Sequence, residues 1–189
     1  MKPRYKILIV AAAGILWGLS EIFVGDVFYR FHVPMRGAAL TALGMMILVM
    51  ARLLYNRLGT SIAIALIAGG LRCLVPKLYI CHFVAIALEG FAFDIAWTAF
   101  RAADSGSPRR MWLASVVGVY SGFFAFGMAS IYLLRFGRWV AGGITGTAVW
   151  SLKSGSVTSI LLIGLVPLAV AVAGWIKRSY AAEMPDFRI

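Results

Sequence analysis

Residues 5–36 read YKILIVAAAGILWGLSEIFVGDVFYRFHVPMR. The run Tyr5–Phe28 is long enough to cross a bilayer, which takes roughly 20 mostly apolar residues. Yet Glu21 sits inside it, and Asp26, Arg30, His32 and Arg36 follow close behind. In a water-soluble loop these charges would be ordinary. Here the flanking chain on both sides is nearly pure hydrocarbon, so the reading of this stretch decides between a plain membrane anchor and a helix that ends in a polar site.

The rest of the chain settles the first half of that question. It has 189 residues, 62% of them hydrophobic, and a mean hydropathy of +0.91, outside the range of soluble domains. Five further apolar windows follow: Gly37–Tyr55, Ser61–Val75, Leu78–Phe100, Met111–Leu134 and Val157–Ile176. Backbone groups in lipid are satisfied only within a segment, so these windows predict helices. The expected fold is all-α, a compact bundle of six transmembrane helices in a single domain spanning 1–189. The third window is short for a span. The start of the chain imitates a secretory signal, but its small residues, Ala11–Ala13, lie inside the apolar run rather than after it. An uncleaved first helix is therefore expected.

The net charge of +11 points to nucleic acid only when topology is ignored. With the N-terminus in the cytoplasm, eleven cations fall inside: Lys2, Arg4, Lys6, Arg52, Arg57, Arg101, Arg109, Arg110, Lys177, Arg178 and Arg188. Seven fall outside: Arg30, Arg36, Arg72, Lys77, Arg135, Arg138 and Lys153. That bias obeys the positive-inside rule with both termini cytoplasmic, and no nucleic-acid partner is expected. The seven outer cations are not asked for by the rule. Arg72 lies near the outer end of the third window, and the other six fall in unusual outer connections: YRFHVPMR, VPKLYICH, and RFGRWVAGGITGTAVWSLKSGS. The last is read as a loop of about twenty residues, too short in its apolar centre to span, and either interfacial or re-entrant. The inner connections, YNRLGT and RAADSGSPRR, read as linkers.

In the first helix Gly14, Gly18, Glu21 and Gly25 recur at i, i+4, i+7 and i+11 and share a face. A glycine stripe lets another helix approach closely, which directs Glu21 into protein. Two readings of Glu21 stand: a structural carboxylate neutralised by a nearby Arg, or a functional one. In the fourth helix His82, Ile86, Glu89, Phe93 and Trp97 share a face, while Asp94 points about 140° from Glu89. For Glu89 the alternatives are an ion pair with Arg72 or a ligand contact. Cys73 and Cys81 read as two buried thiols, as a disulfide on an oxidising side, or, with His82, as a fragment of a soft metal site that no CxxC or HxxxH completes. No metal or cofactor is expected. GxSxG, HExxH, P-loop and Asp-rich transfer motifs are all lacking, so an enzyme is not expected, and energised transport would need ATPases in other chains.

Across nearly its whole length the pattern resembles, in architecture more than in sequence, the substrate-binding S components of energy-coupling factor (ECF) vitamin transporters. The resemblance implies six helices with cytoplasmic termini in a bacterial inner membrane. It also implies a vitamin or related small molecule captured under the outer loops, and docking through helix one onto a coupling transmembrane subunit driven by ATPases. Docking in that family uses small residues, often AxxxA, on helix one. Here Gly14 and Gly18 take that spacing, while strict AxxxA pairs fall at Ala38/Ala42 and Ala169/Ala173. The N-terminal Met-x-His of the nickel and cobalt relatives is missing from MKPRYK. The substrate-binding residues so implied are Glu21, Tyr29, Arg30, His32, Arg36, Arg72, His82 and Glu89, suiting an anionic or ring-containing ligand. Two other classes compete: a membrane subunit or assembly factor packing through Gly-rich faces, and an intramembrane enzyme using Glu21 and His32.

Overall fold

The computed structural model describes residues 3–75, 80–104 and 106–183, with the side chains of 4–75, 80–104 and 106–179. Six helices follow one another: α1 Pro3–Arg30, α2 Arg36–Leu54, α3 Thr60–Arg72, α4 Ile80–Ala99, α5 Pro108–Tyr132 and α6 Gly137–Glu183. No strand occurs among the described residues. All but α3 are long and apolar enough to cross a membrane.

Neighbouring helices close a ring in the order α1, α3, α4, α5, α6, α2, with α2 also leaning on α3 and α5. Side chains are distributed as a bilayer demands. Large apolar groups face outward, with Ile7 69% and Ile163 62% exposed, while Thr41, Arg52, Ser61, Glu89, Asp94, Ser115 and Thr158 are buried. Outward apolar groups cost nothing against lipid tails, whereas inward polar groups find partners only within the protein, in their own helix or a neighbouring one. Thr158 of α6 illustrates this: its hydroxyl donates to its own helix at Ser154 O (2.9 Å) and lies 3.0 Å from Ala38 O of α2. Both AxxxA pairs, Ala38/Ala42 and Ala169/Ala173, are buried.

Two expectations need correction. The third window was read as Ser61–Val75, but α3 is a helix of 13 residues, about 20 Å at 1.5 Å per residue, and so falls short of a ~30 Å hydrocarbon core. The region read as a loop around 136–155 is helical, continuous with the sixth span apart from a break at Gly143 (φ 55°, ψ −162°). Glycine alone takes that conformation without strain. Edge-on ring packing holds the segment against α5: Trp139 lies 4.7 Å from Trp150 and 5.8 Å from Phe126, and Trp150 lies 5.1 Å from Phe123.

At the end of the bundle bearing the α2–α3 turn lies a polar cluster. Arg52 of α2, 2% exposed, and Asp94 of α4, fully buried, form an ion pair at 2.6 Å. The Arg52 guanidinium also donates to Arg57 O and, at 3.3 Å, to Thr98 Oγ1. The second Asp94 oxygen accepts the Gly59 N–H at the start of α3, where φ is 89°. Trp97 Nε1 donates to Asn56 Oδ1 at 3.1 Å. One pair therefore joins α2, α4 and the entry to α3.

Removing one partner of a buried ion pair costs about 3–5 kcal/mol, because the survivor is left uncompensated. Asp94→Ala should lower the melting temperature of the detergent-purified protein by on the order of 10 °C. The double change Arg52→Met/Asp94→Leu should recover much of that loss. An Asp94→Ala protein that melts like the parent would show that the pair does not brace the bundle.

Candidate functional site

At the opposite end, under the α1–α2 turn, the six helices enclose a cavity of about 850 Å³ to which each contributes a residue. That is the size range of sites for small organic ligands. The turn above it is tightly specified. His32 (φ 51°) and Met35 (φ 54°) are left-handed. Phe31, His32 and Val33 N–H groups donate back to Val27, Tyr29 and Phe28 carbonyls at 3.0–3.2 Å. This geometry makes Arg36 the first residue of α2 and sets its guanidinium 4.9 Å from the centre of the Tyr29 ring, a cation–π contact at the rim.

The cavity has three chemically distinct parts. Its acidic part is Glu21 of α1 and Glu89 of α4, with Thr41 of α2. Glu21 stands nine residues before the end of α1, and Glu89 nine residues into α4, so both lie about 13 Å along their helices from the pocket end. Glu89 is 8% exposed; Thr41 donates to its Oε2 at 3.2 Å, and its Oε1 has no hydrogen-bond partner among the described residues. Close approach of α5 backs this carboxylate: a Cβ on Gly122 would lie 3.2 Å from Glu89 Cα. The basic part is Arg36, Arg72 and His82. Neither Arg36 nor Arg72 pairs with a carboxylate among the described residues. The third part is an aromatic wall of Phe123 and Phe126 from α5 and Trp150 from α6.

Of the residues anticipated from sequence, Glu21, Tyr29, Arg36, Arg72, His82 and Glu89 all line this cavity. Arg30 and His32 do not. Arg30 pairs with Asp26 at 2.7 Å on an exposed surface, and His32 is an exposed turn residue. The pairing of Glu89 with Arg72 is not found; Thr41 partners Glu89 instead. Cys73 and Cys81 are free thiols, and Cys81 lines the cavity. Among the described residues no group of three or more His, Cys, Asp or Glu side chains is placed to hold a metal. Sequence reasoning missed Thr41 and the aromatic wall. A hydroxyl on an otherwise apolar helix was the only available sign of Thr41.

The resemblance assigns Gly14 and Gly18 to docking onto another chain. The structure corrects this, because α3 of the same chain fills that face. A Cβ at Gly14 would lie 2.7 Å from Ile67 Cβ, and one at Gly18 2.9 Å from Leu71 Cδ1. The stripe is internal packing of the small-residue type.

Comparison with protein-family models, with curated proteins and with solved structures finds no match for this chain. The site therefore has to be read from its own chemistry.

Gly14→Leu and Gly18→Leu should each lower the melting temperature of the isolated protein by several degrees, since overpacking costs roughly 1–3 kcal/mol. Loss of association with another protein at unchanged melting temperature would instead return this face to a docking role.

Proposed function

We propose that the chain is the membrane-embedded substrate-binding subunit of an importer of the energy-coupling factor type, taking a vitamin or related small molecule from the outer face of a bacterial inner membrane. The observation that carries this reading is the cavity. It sits inside a bundle of apolar helices, and into it converge a buried carboxylate, two guanidinium groups without a carboxylate partner among the described residues, and an aromatic wall. Intramembrane ionisable groups are expensive and mark ligand paths, and an apolar pocket with few convergent polar groups is the usual form of a small-molecule site.

The competing readings lose the features that motivated them. The packing subunit rested on Gly-rich faces, as did docking through Gly14 and Gly18 on the proposed reading, and that face is occupied by α3. The intramembrane enzyme rested on Glu21 with His32, and His32 lies outside the cavity. On the proposed reading, contact with a coupling subunit would use the outward stripe of α1 at Leu8, Ala12, Ile15 and Leu19, which is exposed. Energy would come from ATPase subunits in other chains.

Native mass spectrometry of the gently purified protein should show a retained small molecule. Arg36→Ala should weaken its retention about tenfold or more, the worth of one charge-assisted contact, while Arg30→Ala should leave it unchanged. Retention of a protein instead of a small molecule would favour the packing subunit.

The same reading places the α1–α2 turn outside and the α2–α3 turn in the cytoplasm, as the cation bias requires. In a background lacking Cys73 and Cys81, Phe31→Cys (78% exposed) and Leu58→Cys (72% exposed) should react with an impermeant thiol reagent from opposite sides. Labelling of both from one side would reject the topology.

A further inference from the structure

Apart from Asp26, which borders the mouth and is answered there by Arg30, the charged groups of the cavity are sorted by sign along its depth, and this bears on what it holds. The inference rests on reading the cavity as a binding site. Glu21 and Glu89 occupy the inner part with Thr41. Arg36 starts α2 beside the turn, and Arg72 ends α3 at the same end of the bundle. Both guanidinium groups lack a carboxylate partner among the described residues. Opposite charges on mobile side chains sharing one low-dielectric space would normally pair. Here they line the same cavity without doing so, and Glu89 Oε1 is left with no protein donor. An acceptor buried in that way calls for a donor from elsewhere. On the α5–α6 side of the same cavity, from the depth of Glu89 toward the mouth, Phe123, Phe126 and Trp150 supply ring faces and edges, suited to a flat apolar body.

We propose that the cavity takes a dipolar, ring-bearing small molecule. A cationic or N–H-donating group meets Glu21 and Glu89, a ring lies against Phe123, Phe126 and Trp150, and a carboxylate or phosphate meets Arg36 and Arg72. Amidines and amino-substituted heterocycles match the inner part, since two parallel N–H donors fit a carboxylate. A purely anionic ligand leaves Glu89 unanswered, and a purely cationic one leaves the two guanidinium groups unanswered.

The test uses four probes on the full-length protein in detergent: benzamidine, benzoate, 4-amidinobenzoate and its longer homologue 4′-amidinobiphenyl-4-carboxylate. Binding is followed by quenching of tryptophan emission and by thermal shift. At least one two-ended probe should bind about tenfold or more tightly than both one-ended probes, the gain expected from one added charge-assisted contact. Glu89→Gln should weaken the amidine-bearing probes about tenfold and leave benzoate within about twofold; Arg36→Ala should do the reverse. Equal affinity for all four probes, no response to any, or loss of both one-ended probes in the same variant overturns the dipolar assignment. So does displacement of the two-ended probe by nanodiscs of phosphatidylethanolamine but not of phosphatidylcholine, which would identify a lipid headgroup with the same pair of charges. Native mass spectrometry separates this outcome from failure of the binding reading. A retained small molecule whose structure carries only one kind of charged group, or none, keeps the binding function and rejects the dipolar ligand, whereas retention of none rejects both.

Discussion

A polar group placed among hydrocarbon has only the protein for a partner, and the buried Arg52–Asp94 pair is where this chain meets that constraint in full. The pair draws on α2, α4 and the N–H of Gly59, the residue that leads into α3, so three of the ring's members are joined at one end by contacts that tolerate little displacement. Along the helices, small residues let the elements close without voids, as Gly14 and Gly18 do for α1 and α3. The cavity of about 850 Å³ lies at the other end, where all six helices contribute to its walls. The site is thus a consequence of where the bundle is closed as much as of the residues that line it.

The helices were legible because length and hydropathy are strong signals when nearly every position is apolar. The exceptions have identifiable causes. Gly142, Gly143 and Gly146 argue against helix by intrinsic preference, yet 137–183 is helical because Trp139 and Trp150 anchor the segment on α5 through Phe126 and Phe123. Tertiary contact between aromatic rings outweighed local preference, and no periodicity in the loop announced it. Arg52 was counted only as a helix-end cation obeying the charge bias. That it turns inward to meet Asp94 depends on helix rotation, which one sequence does not specify.

The candidate site was half legible for a related reason. Charges stand out against hydrocarbon, so Glu21, Arg36, Arg72 and Glu89 could be picked out at once. Phe123, Phe126 and Trp150 could not, because an aromatic residue facing a cavity and one facing lipid look alike in composition. Periodicity correctly placed Gly14, Gly18 and Glu21 on one inward face, but it cannot say which helix covers that face. The answer, α3 of the same chain, moved the stripe from docking to packing. Arg30 and His32 were grouped with the site by proximity in sequence; the left-handed turn at His32 and Met35 separates them from Arg36.

The two buried carboxylates of α4 make the case for the cavity by contrast. Asp94 and Glu89 lie five residues apart on one helix, and both are at least nine-tenths buried. Asp94 receives a guanidinium and a backbone N–H, one on each oxygen, the arrangement expected when a charge serves structure. Glu89 receives one hydroxyl on Oε2 and no protein donor on Oε1, although two guanidinium groups border the same space. If Glu89 were there only for stability, it would be a poor choice, since a buried acceptor left unmade costs about 1–3 kcal/mol, and a leucine of similar size would avoid that cost. The same helix shows that this fold can satisfy a carboxylate completely. On the binding function proposed above, the second one is left half-answered, facing a chamber lined by rings, because its remaining partner arrives from outside the chain.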